Sequence, residues 1–184
     1  MNKLKIQKEK IIIKLGKLME NLSLAGFIDS ESDLEYAFLP SIKKFIKNNL
    51  SPDIEKILYH HGRTLQEKKH WTDSKPLQVV KLFGVNVSDI FIKHHKIGAV
   101  AIELKYAKIS KRKGLTGVLQ RAIGQSLIAT LRHPFAICCV VYGQSRENKI
   151  EFGLIEELKK ILWGKHKIYL IVRKKQDLNF KMQI

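Results

Sequence analysis

The run Phe135-Ala-Ile-Cys-Cys-Val-Val-Tyr142 carries no charge and lies within the longest uncharged stretch of the chain, His133 to Ser145. Side chains alternate between the two faces of a strand, so a run that is apolar on both sets of positions has to be covered from both sides. It falls far short of the roughly 20 apolar residues that cross a bilayer, as does every other apolar run in the chain. The sequence therefore demands a sheet with this strand inside it and a layer on each face. Helical patterns stand on either side of it. Leu115–Leu131 reads as a helix with its core stripe at Leu115, Val118, Leu119, Ala122, Ser126 and Ala129. Glu151–Trp163 reads as an amphipathic helix with Leu154, Ile155, Leu158, Ile161 and Leu162 on one stripe, and Lys167–Val172 as a final strand. Strand–helix–strand connections of this kind build parallel pairs with helices on the sheet's faces.

Upstream the chain begins with a basic amphipathic segment, residues 1–28. Its helix is expected over 3–24, with Leu4, Ile11, Leu15, Leu18 and Leu22 near helical spacing and lysines between them. Packing or dimer contact is the role such a stripe suits. Asp29-Ser-Glu-Ser-Asp-Leu-Glu35 looks like a helix start, with Ser30 or Ser32 as cap and acids in the first turn. That helix is expected to reach Pro40, or to kink there and resume through Phe45 and Ile46. Ser51-Pro52-Asp53 is expected to open a short helix to about Tyr59. Pro76–Phe83, Asn86–Ile92 and Ala99–Ala107 are rich in Val, Ile and Phe and read as three strands, the last two joined through His94–Gly98. With no internal repeat and no low-complexity linker, residues 1–184 are read as a single α/β domain with a mixed sheet.

Composition narrows the class further. Of 184 residues, 45% are hydrophobic and 28% charged, which is a globular balance. The two cysteines, Cys138 and Cys139, are adjacent in a strand and point to opposite faces. A disulfide framework and a four-cysteine metal or iron–sulfur site are both excluded. Met-Asn-Lys-Leu-Lys lacks the continuous apolar core of a signal peptide. These features predict a reduced, soluble, intracellular protein, cytoplasmic or nucleoid-associated, with no membrane partner and no small-molecule cofactor.

The charge is the second strong constraint. Lys and Arg number 34 and Asp and Glu 17, for a formal charge of +17. Such an excess repels itself unless a polyanion neutralises it, and nucleic acid is the commonest polyanion. A surface kept charged for solubility, or a lysine-rich composition suited to heat, gives the same total. The distribution is more telling. Between Ser74 and Arg146 there are twelve Lys or Arg residues and two carboxylates, Asp89 and Glu103. If Asn86–Ile92 and Ala99–Ala107 form a hairpin in which Lys93 faces Ala99, Asp89 falls opposite Glu103. Cross-strand partners share a face with Cβ atoms about 4.5–5.5 Å apart, which lets one divalent cation bridge two carboxylates. Lys105 projects from the same face, and Ile102 and Leu104 from the other. The apolar flanks Ile90-Phe-Ile92 and Val100-Ala-Ile102 set these charges in or beside the core, where unpaired charge is costly.

Ser88-Asp89, followed fourteen residues later by Glu103-Leu104-Lys105 on the next strand, resembles the PD-(D/E)XK nuclease superfamily over residues 74–143. Ser88 stands where that pattern has its proline. The resemblance implies a restriction-endonuclease-like fold: a mixed β-sheet core flanked by helices, here with N-terminal helices added. It implies a metal-dependent endo- or exodeoxyribonuclease in which Asp89, Glu103 and the Leu104 carbonyl hold Mg²⁺ or Mn²⁺ and Lys105 positions or activates water. A helix acid that completes the metal site would be Glu35 or Glu31, with Glu35 preferred for its place beside Leu34 and Phe38. A helix glutamine would be Gln125, at the edge of the buried face, in preference to Gln120, which points away. Lys108, Lys111, Arg112 and Lys113, in the loop after the catalytic strand, suit phosphate contact, as do Arg121 and Arg132 on the helix that follows. His94 and His95 read as hairpin-tip residues, and His60-His61 and His70-Trp71 lack zinc spacing. The expected substrate is DNA, cut by structure in recombination, repair or mobile-element replication, by a homodimer as is common in the family.

Overall fold

Phe135–Tyr142 forms the strand its composition demands, with every residue but the last buried. In a computed structural model that describes residues 3–24, 28–60, 89–108, 115–143 and 152–175, it lies fourth in a five-stranded sheet. The strands are β1 (Leu58–His60), β2 (Ile90–His94), β3 (Gly98–Ala107), β4 (Phe135–Tyr142) and β5 (Ile168–Lys174), and their spatial order is their chain order. β1 pairs with β2 and β2 with β3 antiparallel, whereas β3–β4 and β4–β5 are parallel. The chain is thus an α/β protein with a mixed, open sheet. Four α-helices accompany it among the described residues: α1 (Lys3–Asn21), α2 (Glu31–Asn49), α3 (Leu115–Thr130) and α4 (Phe152–Ile161), the last continuing into a π-helical turn, Leu162–His166.

The alternation of β4 divides the core in two. Ile137, Cys139 and Val141 join Ile90, Ile92, Val100, Ile102 and Leu104 beneath α1 and α2, against Ile12, Leu15, Met19, Leu34, Phe38 and Ile42. Ala136, Cys138 and Val140 join Ala107, Ile168 and Leu170 beneath α3, against Leu115 and Ala122. Each fully buried Leu, Ile or Phe contributes about 1.5–3 kcal/mol relative to leaving it exposed, so both layers are needed to hold the sheet. The two cysteines fall on opposite faces, and both are free.

Several boundaries differ from the sequence reading. α1 ends at Asn21, three residues early, and its buried line runs through Ile12, Leu15 and Met19, with Ile11, Leu18 and Leu22 packed beside it and Leu4 exposed. This stripe is seated on the protein's own sheet. α2 passes through Pro40 without a break, and Pro40 lies on its exposed side. The short helix expected to Tyr59 is only a 3₁₀ turn, Ile54–Lys56, after which Leu58–His60 becomes β1. Pairing with β2 buries Leu58 opposite Ile92, a long-range gain that overrides the local helix signal. In α4, Ile155 is buried while Leu154 and Ile161 are exposed. The expected strand Pro76–Phe83 and residues Asn86–Ser88 lie outside the described residues.

Candidate functional site

The hairpin register sets the geometry. Ile90 faces Ile102, Phe91 faces Ala101 and Lys93 faces Ala99, so partner numbers sum to 192 as the sequence predicts. The strands extend to His94 and Gly98, which leaves three loop residues in place of five. Gly98 closes the loop at φ +82°, a conformation that favours glycine.

β3 then sorts its side chains. Ile102 and Leu104 are buried beneath α1 and α2, so Glu103 and Lys105 leave from the face covered by α3. Glu103 is 5% exposed. Its Oε1 lies 2.6 Å from Lys105 Nζ, and the same ammonium lies 3.2 Å from Glu31 Oε2. Glu31 is held there by the start of α2, where the Ser30 hydroxyl accepts from the Asp33 N–H at 3.1 Å and fixes the first helical residue. A second contact at the same strand end, Lys108 Nζ to Asp29 Oδ2 at 3.3 Å, ties the residues before α2 to the end of β3.

Asp89 immediately precedes β2. Its Oδ2 accepts the Leu104 N–H at 2.7 Å. The N–H and C=O of one strand residue face the same edge, so the Leu104 carbonyl is directed to the side on which Asp89 sits. Asp89, Glu103, Lys105 and Glu31 therefore converge: three carboxylates around one ammonium.

The electrostatics reflect that imbalance. Burial raises Asp89 from 3.8 to about 7, and the neighbouring Glu103 carboxylate pushes it the same way, against opposing pulls from Lys105 and the Leu104 N–H. Burial also raises Glu103, with Lys105 resisting. Burial alone would lower Lys105, but Glu103, Asp89 and Glu31 outweigh it and hold the ammonium above its ordinary range. The lysine stays charged, and the acids beside it are under-compensated.

The other expected site residues distribute as follows. Glu35 is 5% exposed, as its place on the α2 stripe predicts, but its Oε1 lies 3.0 Å from His60 Nδ1 in β1, and Glu31 is the α2 acid at Lys105. His60 had no sequence signal, because its partner is 25 residues away. Glu31 had one: the Ser30 cap fixes it as the first residue of a helix. Gln125 is half-buried and Gln120 exposed, matching the predicted facing of α3. Arg121 and Arg132 are exposed on or just beyond α3, with Arg121 Nε donating to the Gly117 carbonyl at 3.4 Å. Lys108 is exposed, and Lys111, Arg112 and Lys113 lie outside the described residues. Among the described residues no three His, Cys, Asp or Glu side chains are grouped closely enough to hold a metal by themselves. Nor, among them, is any helix long and apolar enough to cross a membrane. Comparison with models of protein families, with curated proteins and with solved structures gave no match.

Proposed function

We propose that this chain is a metal-dependent nuclease of restriction-endonuclease-like fold that hydrolyses phosphodiester bonds in DNA, with Asp89, Glu103 and Lys105 at its centre. One observation carries the reading. In a chain of formal charge +17, three carboxylates crowd one ammonium, with Glu103 buried and Asp89 half-buried. Protein interiors avoid such a deficit unless a cation offsets it.

The donor set fits Mg²⁺ or Mn²⁺. Mg²⁺ keeps several of its waters and takes one or two carboxylates from the protein, so Asp89, Glu103 and the Leu104 carbonyl would suffice, with Glu31 adding negative charge from α2. When bound, the ion supplies charge to the phosphate oxygens and lowers the pKa of a water. Lys105, oriented by Glu103 and Glu31, presents a fixed positive charge to the phosphate. Asp89 is held by the Leu104 N–H, so the acid closest to that carbonyl's edge is already positioned. Gln125 and Arg121 lie on α3, the helix covering the face from which Glu103 leaves, Arg132 just beyond it, and Lys108 just past the end of β3, where each is available to a bound DNA. The small size of the domain and its broad basic surface support cutting directed by DNA structure, as in recombination, repair or mobile-element replication. The buried free cysteines support work inside the cell.

The test is cleavage of plasmid and branched DNA with Mg²⁺ or Mn²⁺, using Asp89→Ala and Glu103→Ala as controls. Cleavage by the parent and its loss in both variants is expected. Equal cleavage by all three overturns the site, and DNA binding without cleavage by any protein identifies a binding protein instead.

A further inference from the structure

The outer face of the α1–α2 layer carries a cationic surface that the carboxylate site does not use. Lys10, Lys14 and Lys17 recur at i, i+4 and i+7 on α1 and are all exposed. At 1.5 Å per residue they stand about 6 and then about 4.5 Å apart along the axis. On α2, Lys43, Lys44 and Lys47 are likewise exposed. Lys14 Nζ donates to Asn49 Oδ1 at 2.9 Å, which joins the α1 row to the C-terminal end of α2. Every acid of the two helices is engaged elsewhere. Glu9 meets Lys167, Glu20 meets Lys159 and the Tyr169 hydroxyl, Glu31 meets Lys105, Asp33 accepts from Ser30, and Glu35 meets His60. Among the described residues none of the six lysines forms an ion pair.

We propose that this face docks the phosphate backbone of a duplex nucleic acid, as a second contact surface on the side of the sheet opposite α3. The identity of the polyanion rests on the nuclease reading, whereas the surface itself does not. A membrane is the poorer occupant. Among the described residues Leu4 is the large apolar side chain exposed on these helices, and the lysine rows are interspersed with exposed Gln7, Asn21 and Asn48, a surface poor in groups that enter a bilayer. Lysines are flexible point charges, suited to following a backbone and not to reading bases. The sheet separates this face from Arg121 and Arg132. A duplex is stiff over about 50 nm, so one straight segment cannot lie on both faces, and the two faces hold separate segments.

The experiment is a titration of labelled duplex DNA at several salt concentrations in EDTA, where cleavage is absent and its success or failure has no bearing on the result. Each phosphate contact contributes about 0.9 to the slope of log K against log salt, so Lys10→Gln/Lys14→Gln/Lys17→Gln lowers that slope by about 2.7. Lys43→Gln/Lys44→Gln/Lys47→Gln, the second variant, produces a loss of similar size. Each is read beside its urea midpoint, which should equal the parent's. The parent should also retain a second labelled duplex on an immobilised one, and the α1 variant should not. Unchanged slopes in folded variants overturn the proposal, as does loss of binding to phosphatidylserine vesicles with an unchanged duplex slope.

Discussion

Asp89→Asn removes one charge from the cluster while leaving an oxygen to accept the Leu104 N–H. Because Asp89 rises from 3.8 to about 7 on folding, the folded chain holds this proton more tightly than the unfolded chain does. The stabilisation from that proton is complete below about pH 4 and is lost as pH rises through about 7. At about pH 8 the carboxylate is ionised in both states, and keeping it so in the fold costs up to about 4 kcal/mol relative to the neutral form. Asparagine carries no such cost. In EDTA, Asp89→Asn is therefore expected to exceed the parent in stability by about 2–4 kcal/mol near pH 8, and by only about 1 kcal/mol near pH 4.5. Urea unfolding followed by circular dichroism at both pH values reads the difference directly. Mg²⁺ should raise the midpoint of the parent near pH 8 by mass action, and that of the variant much less. A variant equal to or less stable than the parent near pH 8 without metal would refute the reasoning, since Asp89 would then be a satisfied structural anion with no need of a cation.

Glu103→Gln and Lys105→Met should each reduce cleavage at least about a hundred-fold while duplex binding in EDTA persists; parental rates in either would remove that residue from the site. Gly16→Ala should destabilise by about 1–3 kcal/mol in urea, because its Cβ would stand 2.5 to 2.7 Å from the Tyr169 ring, and an unchanged midpoint would mean that the ring yields freely. Neither cysteine should react with iodoacetamide in the native protein. Burial pushes Cys138 up to about 12 and Cys139 higher still, so native labelling as fast as in urea would contradict their placement.

Local pattern made the core of the sheet legible. Phe135–Tyr142 has the boundaries its apolar run implies, and the β2–β3 register follows from a short loop and two strands that tolerate no slip. What local pattern could not supply was the identity of distant partners. Leu58 leaves a helical signal to pair opposite Ile92, and nothing within Ser51–Tyr59 announces that strand. The preference for Glu35 rested on its neighbours Leu34 and Phe38, and the residue is indeed buried, but its burial answers His60 and not Lys105. Glu31, half-exposed at 46%, reaches Lys105 because the start of a capped helix abuts the end of β3, a fact of tertiary packing. Along α4 and the turn that continues it the apolar stripe is wider than the surface it covers: of the five residues periodicity named, Ile155 and Leu162 are buried, Leu158 is partly covered, and Leu154 and Ile161 face outward.

The seating of α1 on β5 has a consequence for synthesis. Gly16 lies against Tyr169, and the Met19 carbonyl accepts from Arg173 Nη1 at 2.9 Å. The strands add to the sheet in the order in which the ribosome delivers them, each beside its predecessor. α1 precedes all of them, yet it completes its packing only against the fifth. A nascent chain halted before Ile168 would hold β1 to β4 while Ile12, Leu15 and Met19 lack part of their cover. A helix that precedes every described strand is thus secured only when the last of them is made, and until then part of its apolar face stays uncovered.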